Sequence, residues 1–157
     1  MKKGFTLLEL LLVIAILGIL AALITGNFFT SLKKGRDAKR KADLEQITRA
    51  LEMYYEDSNA YPTAGSVTFG GQLCNPAGCG TKIYMQKLPN DPTSGSYGYE
   101  TDATGTYYKL YACLENTLQI LPYTSSPSTF TCSKNCKNQV DTTVPCIWGI
   151  SSSNTTP

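Results

Sequence analysis

From Leu10 to Leu32 the chain carries no charged residue, an uninterrupted run of 23. At about 1.5 Å per residue a helix of that length covers roughly 30 Å of hydrocarbon, so the segment can span a bilayer. Two cations, Lys2 and Lys3, stand ahead of it, followed by Gly4, Phe5 and a single carboxylate, Glu9. A cleavable secretory signal is the simpler alternative, but its apolar core usually runs about 7–15 residues and ends at a small-x-small site. Here the run is longer, no such site follows, and a glutamate sits inside it.

Glu9 is the residue that most needs an explanation. A carboxylate within a bilayer costs on the order of 2.5–3.5 kcal/mol or more, so one that persists has a partner or a function. Nothing else in the apolar run can pair with it. The partner is therefore expected from outside the segment, and a second copy of the segment is the economical choice. A cut between Gly4 and Phe5 would place a new α-amino cation at the same end of the helix, able to meet the Glu9 of a neighbour.

Gly4-Phe5-Thr6-Leu7-Leu8-Glu9 followed by the apolar run resembles the class III signal of type IV pilins and type II secretion pseudopilins. The resemblance implies cleavage between Gly4 and Phe5 by a prepilin peptidase, N-methylation of Phe5, and use of Glu9 with the Phe5 amine in filament assembly. Where the family commonly has a helix-disturbing proline, this chain has Gly26, followed by Asn27. Glycine weakens a helix by about 1 kcal/mol relative to alanine, so a milder local disturbance is expected there.

The 157 residues leave room for one domain plus an anchor. The net charge of +2 comes from Lys2 and Lys3 alone; the remaining side chains balance, which argues against a polybasic nucleic-acid binder. Six cysteines, Cys74, Cys79, Cys113, Cys132, Cys136 and Cys146, form an even set. Behind an export segment they read as disulfide candidates in an oxidising compartment, with fifteen connectivities open. A zinc site built on Cys74 with Cys79 and Cys132 with Cys136 is the alternative. Its spacings are loose and the chain has no histidine, so no metal site is assigned. The basic cluster Lys33, Lys34, Arg36, Lys39, Arg40 and Lys41 would by itself put that side of the membrane in the cytoplasm. The cysteines and the leader place it outside.

Beyond the anchor, Leu44, Ile47, Leu51 and Tyr54 recur at spacings of three and four, one apolar stripe of an amphipathic helix. Asp43, Glu45 and Glu52 fall three or four residues from Arg40, Lys41 and Arg49, spacings that suit ion pairs along the helix. The basic cluster reads first as a solvated face beside phospholipid headgroups, and second as a contact for an acidic face of the next subunit. Asp57-Ser58-Asn59-Ala60-Tyr61-Pro62 ends the helix, with Asn59 suited to the C-cap. The run LEMYYEDSNAYPT extends the resemblance to about residue 64.

Residues 63 to 96 read as a long loop with a short helical turn near Lys82 to Lys87, tied down by Cys74 and Cys79. Asn90-Asp91-Pro92 reads as a turn before a strand, with Asp91 as a metal ligand the lesser alternative. Tyr97 to Thr101 and Tyr107 to Glu115 form a hairpin about the turn 102–105, with Tyr108, Leu110, Ala112 and Leu114 on one face. A third strand comes from Thr117 to Leu121, Thr129 to Cys132 or Cys146 to Ile150. The last 40 residues fit the family least. Major pseudopilins tend to have an acidic calcium-binding loop near the C-terminus, whereas Asp141 is the only acid after Glu115. The cysteines there look more like a pilin whose C-terminal segment is held by a disulfide-closed loop. The tail SSSNTTP reads as frayed, with a weak glycosylation signal at Asn154.

The expected fold is α+β and pilin-like: a long N-terminal helix packed on a small antiparallel sheet. The segments are a leader (1–4), a transmembrane assembly half-helix (5–31), an amphipathic half (32–58) and an extracytoplasmic head (59–157). Without histidine or a glycine-rich phosphate loop, no catalytic residue or cofactor is assigned. The chain reads as a substrate of processing enzymes and a structural subunit of a type IV pilus-like filament. Before assembly it would sit in the cytoplasmic (inner) membrane with its head outside; afterwards it would stand in a cell-surface filament. Implied partners are further copies in a helical homopolymer, the prepilin peptidase, the membrane, and an inner-membrane assembly platform with its motor. The rival readings are a type II secretion pseudopilin and a minor pilin binding DNA or surfaces; nucleic acid is not expected as a partner.

Overall fold

Helix α1 runs from Leu7 to Ser58, and its two halves meet opposite conditions. In a computed structural model the residues described are 4–93, 95–119, 121, 130–133, 135–137 and 143–155. Lys2, Lys3 and Asp141 therefore lie outside the described residues. Along the first half the large apolar side chains, among them Leu7, Leu8, Leu11, Leu17, Ile19, Leu23, Phe28 and Phe29, stand exposed with no protein against them. No single described helix is long and apolar enough to cross a membrane. Two runs, Leu7–Leu23 and Phe28–Ser58, meet that criterion together, on length and composition, with a bend of 41° at their junction. The local disturbance expected at Gly26 corresponds to this bend, which the apolar run Leu10 to Leu32 crosses. The break falls on Ile24-Thr25-Gly26-Asn27, three of them poor helix formers, and a sharp bend in a helix needs a local cause of that kind.

In the second half Leu44, Ile47 and Leu51 are fully buried and Tyr54 nearly so, one stripe turned to the head. The helix stops where Asn59 takes the left-handed conformation (φ 53°) and its N–H donates to the Tyr55 carbonyl at 2.8 Å. Asparagine tolerates that conformation because its short side chain crowds the backbone little.

The stripe packs on a three-stranded antiparallel sheet ordered β3 (Gly98–Thr101), β4 (Tyr108–Cys113), β7 (Ile147–Ser151). Leu110 pairs with Tyr99 on one side and Ile150 on the other. The third strand thus comes from the last of the three candidate segments, and the described parts of the other two form no strand. Tyr108, Leu110 and Ala112 are fully buried against α1, as period-two alternation requires. Tyr111, on the opposite face, is buried too, because Phe130 stacks on its ring at 5.7 Å between centroids. That cover depends on Gly98: a Cβ there would lie 2.6 Å from the Phe130 ring.

Between helix and sheet, a 3-10 turn (Ala64–Ser66) precedes a small hairpin, β1 (Leu73–Cys74) with β2 (Ile83–Met85), closed by the Cys74–Cys79 disulfide. The helical turn expected near Lys82 to Lys87 is instead this strand. Its middle residue, Tyr84, is buried against Tyr54 at 5.3 Å between ring centroids, which an extended backbone allows. A second short pair, β5 (Asn135–Lys137) with β6 (Thr143–Pro145), carries the Cys136–Cys146 disulfide. Those two cysteines form a small cluster with Leu114, Leu121 and the partly buried Trp148. Cys113–Cys132 joins β4 to the segment before β5. Cys132 and Cys136 each bond elsewhere, so the zinc pairing does not arise. The tail is held as far as residue 155: Asn154 Nδ2 donates to the Thr106 carbonyl at 2.8 Å, and Ser151 Oγ to that of Thr155 at 2.7 Å. Fraying from residue 151 is thereby corrected, and Thr156 and Pro157 lie outside the described residues.

The separation of the two halves has a direct test. Leu110→Ala is expected to destabilise the head by about 2–5 kcal/mol in urea denaturation of the detergent-solubilised chain. Leu17→Ala, which removes an exposed side chain, is expected to leave the same transition in place.

Candidate functional site

Two constellations stand out, one at the start of α1 and one where α1 meets the head. At the start, Gly4, Phe5 and Thr6 precede the helix and are exposed. The first N–H groups of a helix lack backbone acceptors, and a T-x-x-E box supplies them reciprocally. Here Thr6 N and Thr6 Oγ1 both donate to Glu9 Oε2, at 2.9 and 2.7 Å, while Glu9 N donates to Thr6 Oγ1 at 3.3 Å. Glu9 therefore has a partner in its own chain, three residues before it, contrary to the expectation of a partner only from elsewhere. The spacing is legible in Thr6-Leu7-Leu8-Glu9, where a hydroxyl three residues back serves as a partner without a counter-charge. Glu9 Oε1 accepts no hydrogen bond among the described residues, so half of the carboxylate stays available.

At the junction, Arg40 lies with its side chain only 3% exposed, surrounded by carboxylates. Its Nε donates to Asp91 Oδ2 at 2.6 Å and its Nη2 to Asp91 Oδ1 at 3.0 Å. Its Nη1 reaches Asp37 Oδ1 at 2.8 Å and Glu115 Oε1 at 2.9 Å. Asp37 also accepts the backbone N–H groups of Glu115 and Asn116, at 2.8 and 2.9 Å. Arg36 forks onto Glu115 at 2.7 and 2.6 Å. Lys41 donates to Gln119 Oε1 at 2.7 Å and lies 4.1 Å from the Trp148 ring centroid. One guanidinium thus ties together the helix, the loop before β3 and the segment after β4. A planar, five-donor cation suits this role, because every buried lone pair needs a donor.

This arrangement corrects two readings of the sequence. The basic cluster is not one solvated face: Arg36, Arg40 and Lys41 are committed to the head, while Lys33, Lys34 and Lys39 are exposed. The ion pairs expected of Asp43 and Glu52 along the helix do not form either. Asp43 accepts from Tyr97 Oη at 2.8 Å, and Glu52 from the hydroxyls of Tyr61 and Tyr108. Arg40 is taken up by three other carboxylates, Arg49 is exposed, and the buried tyrosines need the acceptors more.

The Arg36 guanidinium, then Arg40, hold the Glu115 carboxyl down at about 2. Burial raises the Asp91 carboxyl, but Arg40 and Thr93 outweigh it, and the net displacement is downward.

Residues 27–116 match the family described as "Type II secretion system (T2SS), protein G", which covers more than half of the chain. The chain belongs to the type II secretion system protein G family. Residues 1–25 also match the prokaryotic N-terminal methylation motif. Among curated relatives, the type II secretion system core protein G of Pseudomonas aeruginosa is 33% identical over 116 residues, 71% of this chain and 82% of the relative. That of Aeromonas hydrophila is 36% identical over 101 residues, covering 61% and 71%, and that of Escherichia coli is 35% identical over 101 residues, covering 61% and 70%. No solved structure matches the chain. Protein G is the major pseudopilin, and the family is a structural one.

The protein G match stops at residue 116, where the Cys113–Cys132 and Cys136–Cys146 loops take over. Among the described residues the donors do not form the calcium site that the resemblance to major pseudopilins implies; Asp141 lies outside them. The carboxylates gathered near this point, Asp37, Asp91 and Glu115, already share Arg40 among them. No cluster of three or more metal-ligating side chains occurs among the described residues. Chelation is therefore expected to leave the thermal midpoint of the head unchanged; a fall of several degrees with EGTA would show otherwise.

Arg40 gives a pH prediction with a definite sign. Glu115 has a folded-state value of about 2 against 4.5 unperturbed, so its contribution is complete above about pH 4.5 and is lost as pH falls toward 2. The wild-type head should lose stability in that window. Arg40→Met should cost about 3–5 kcal/mol at pH 7, because it leaves buried carboxylates without a partner. Its deficit should shrink on acidification, as the orphaned Asp91 takes up a proton. Urea midpoints of both proteins from pH 7 to pH 3 would show the two trends converging.

Proposed function

We propose that this chain is the repeating subunit of a type IV pilus-like filament of the secretion kind, processed and assembled through its N-terminal helix. The observation that carries the reading is the protein G match laid over a helix whose first half has no cover in its own chain. An exposed apolar helix of this length is held in lipid or against other copies of itself. Protein G relatives favour a filament of a secretion machine over a surface pilus, and nothing among the described residues of the head favours a DNA-binding minor pilin.

In this reading a prepilin peptidase cuts between Gly4 and Phe5, both exposed ahead of the helix, and the new Phe5 amine is methylated. The chain waits in the inner membrane with its disulfide-bonded head outside, then passes through the assembly platform and motor into the filament. Glu9 acts twice. One oxygen caps its own helix through Thr6, and the other is free for the Phe5 amine of the adjoining copy. Pairing the two charges offsets their burial and makes an out-of-register subunit costly.

The two roles of Glu9 separate by substitution. Glutamine preserves a capping box but carries no charge, so Glu9→Gln is expected to insert and fold normally yet enter filaments poorly. Full incorporation of Glu9→Gln, with loss only in Glu9→Ala, would reduce Glu9 to a cap. Intact mass of the filament-derived subunit should correspond to a chain starting at methylated Phe5, rising on reduction by the hydrogens of three disulfides. A chain still starting at Met1 would overturn the processing step.

A further inference from the structure

The outward face of β3 holds a carboxylate that no described residue answers well. β3 is the edge strand of the sheet, paired with β4 alone. Its side chains alternate, so Tyr99 turns toward the core, where its hydroxyl donates to the Pro62 carbonyl at 2.7 Å, and Glu100 turns away from α1. Glu100 Oε1 is buried and accepts no hydrogen bond, while Oε2 meets the Tyr111 hydroxyl at a long 3.5 Å. A buried acceptor without a donor is costly, and folded proteins keep few of them. Lys109 stands directly across from Glu100 in the β3–β4 register, where a cross-strand ion pair could form, yet none forms among the described residues. Glu100 instead lines a cavity of about 460 Å³, with the rings of Tyr107 and Phe130 beside it and Ala64 of the 3-10 turn also at its wall. Phe130 is held there by its stacking on Tyr111 and by the space that Gly98 leaves.

We propose that this cavity is a binding site for a guanidinium group, the arginine side chain of a second protein that docks at the edge of the sheet. Three features select that group. Both carboxylate oxygens are open to better donors, and the guanidinium fork offers two parallel N–H groups to match them. The last torsion of a glutamate is soft, so Oε1 can turn to the cavity at little cost. The walls are aromatic, and a guanidinium plane stacks on rings where a compact, strongly hydrated ammonium gains less. Finally, Glu100 is the one charged residue lining the cavity, so its field favours a cation and no resident cation competes within it. The cavity is roomy enough for a guanidinium and its alkyl stem. With no strand on the other side of β3, there is also room for the backbone that carries the arginine. The site lies on the face of the sheet turned away from α1 and does not depend on the filament reading.

The test uses the full-length chain in detergent micelles and three small probes: acetyl-arginine amide, acetyl-lysine amide and acetyl-citrulline amide, the last a neutral isostere of arginine. Binding is read from the NMR shifts of the backbone amides of residues 98–101. Acetyl-arginine amide should bind saturably in the millimolar range, about tenfold more tightly than either other probe, a difference of about 1.4 kcal/mol. Glu100→Gln should bring its affinity down to that of the citrulline probe, with the amide spectrum elsewhere showing a folded head. The citrulline comparison is made on the unaltered chain, so it decides the matter even if that variant misfolds. Lys109→Met should bind acetyl-arginine amide at least as tightly as the unaltered chain, because Lys109 does not occupy the carboxylate. Equal affinity for arginine and citrulline, or no saturable shift with any probe, overturns the proposal. Lysine bound as tightly as arginine overturns the assignment to a guanidinium. Binding that appears only in Lys109→Met also overturns it, and would assign Glu100 to its cross-strand lysine.

Discussion

An apolar half-helix that no described residue covers governs how this protein can exist. The side chains from Phe5 to Leu23 and from Phe28 to Leu32 are exposed because the head begins only where the helix becomes amphipathic. Two environments resolve that exposure, a bilayer and a bundle of identical helices, and both remove the same surface from water. A subunit that must move from one to the other cannot bury this surface internally. The fold therefore keeps the core of the head, built on Leu44, Ile47, Leu51 and Leu110, separate from the surface used in assembly.

That separation makes the junction demanding. A helix that emerges from lipid must carry the head in a fixed orientation if stacked copies are to repeat. The Arg40 knot does this at close range, joining three segments distant in sequence through one guanidinium. Apolar packing could hold the same segments together, but it discriminates less between rotations of a helix against a sheet. Directional bonds to Asp37, Asp91 and Glu115 permit one. The disulfides Cys113–Cys132 and Cys136–Cys146 then fasten the C-terminal segment beyond residue 116, where the protein G match ends.

Glu9 shows how one residue can serve the isolated chain and the assembly. Before assembly, the capping box spares Glu9 from being an unpartnered carboxylate near the membrane surface. Within a filament, the oxygen facing away from Thr6 is the one that a neighbour's amine would meet.

Periodicity alone determined a great deal. It specified the apolar run, the stripe Leu44–Ile47–Leu51–Tyr54, the alternation of β4 and the Asn59 stop, because each depends only on neighbours in sequence. The methylation motif within residues 1–25 was equally legible, since it is a linear segment. What the tertiary structure decided concerns residues whose partners lie far along the chain. Asp91 read as a turn residue until Arg40, 51 residues earlier, was placed beside it. Tyr84 sits on a strand and not a helical turn because Tyr54 receives it, and Tyr111 is buried on the outward face because Phe130 covers it. The pairing of six cysteines was open among fifteen arrangements until the strands fixed which sulfurs met. Local pattern determines what an element is; which charge answers which, across the fold, is set only when the elements have packed.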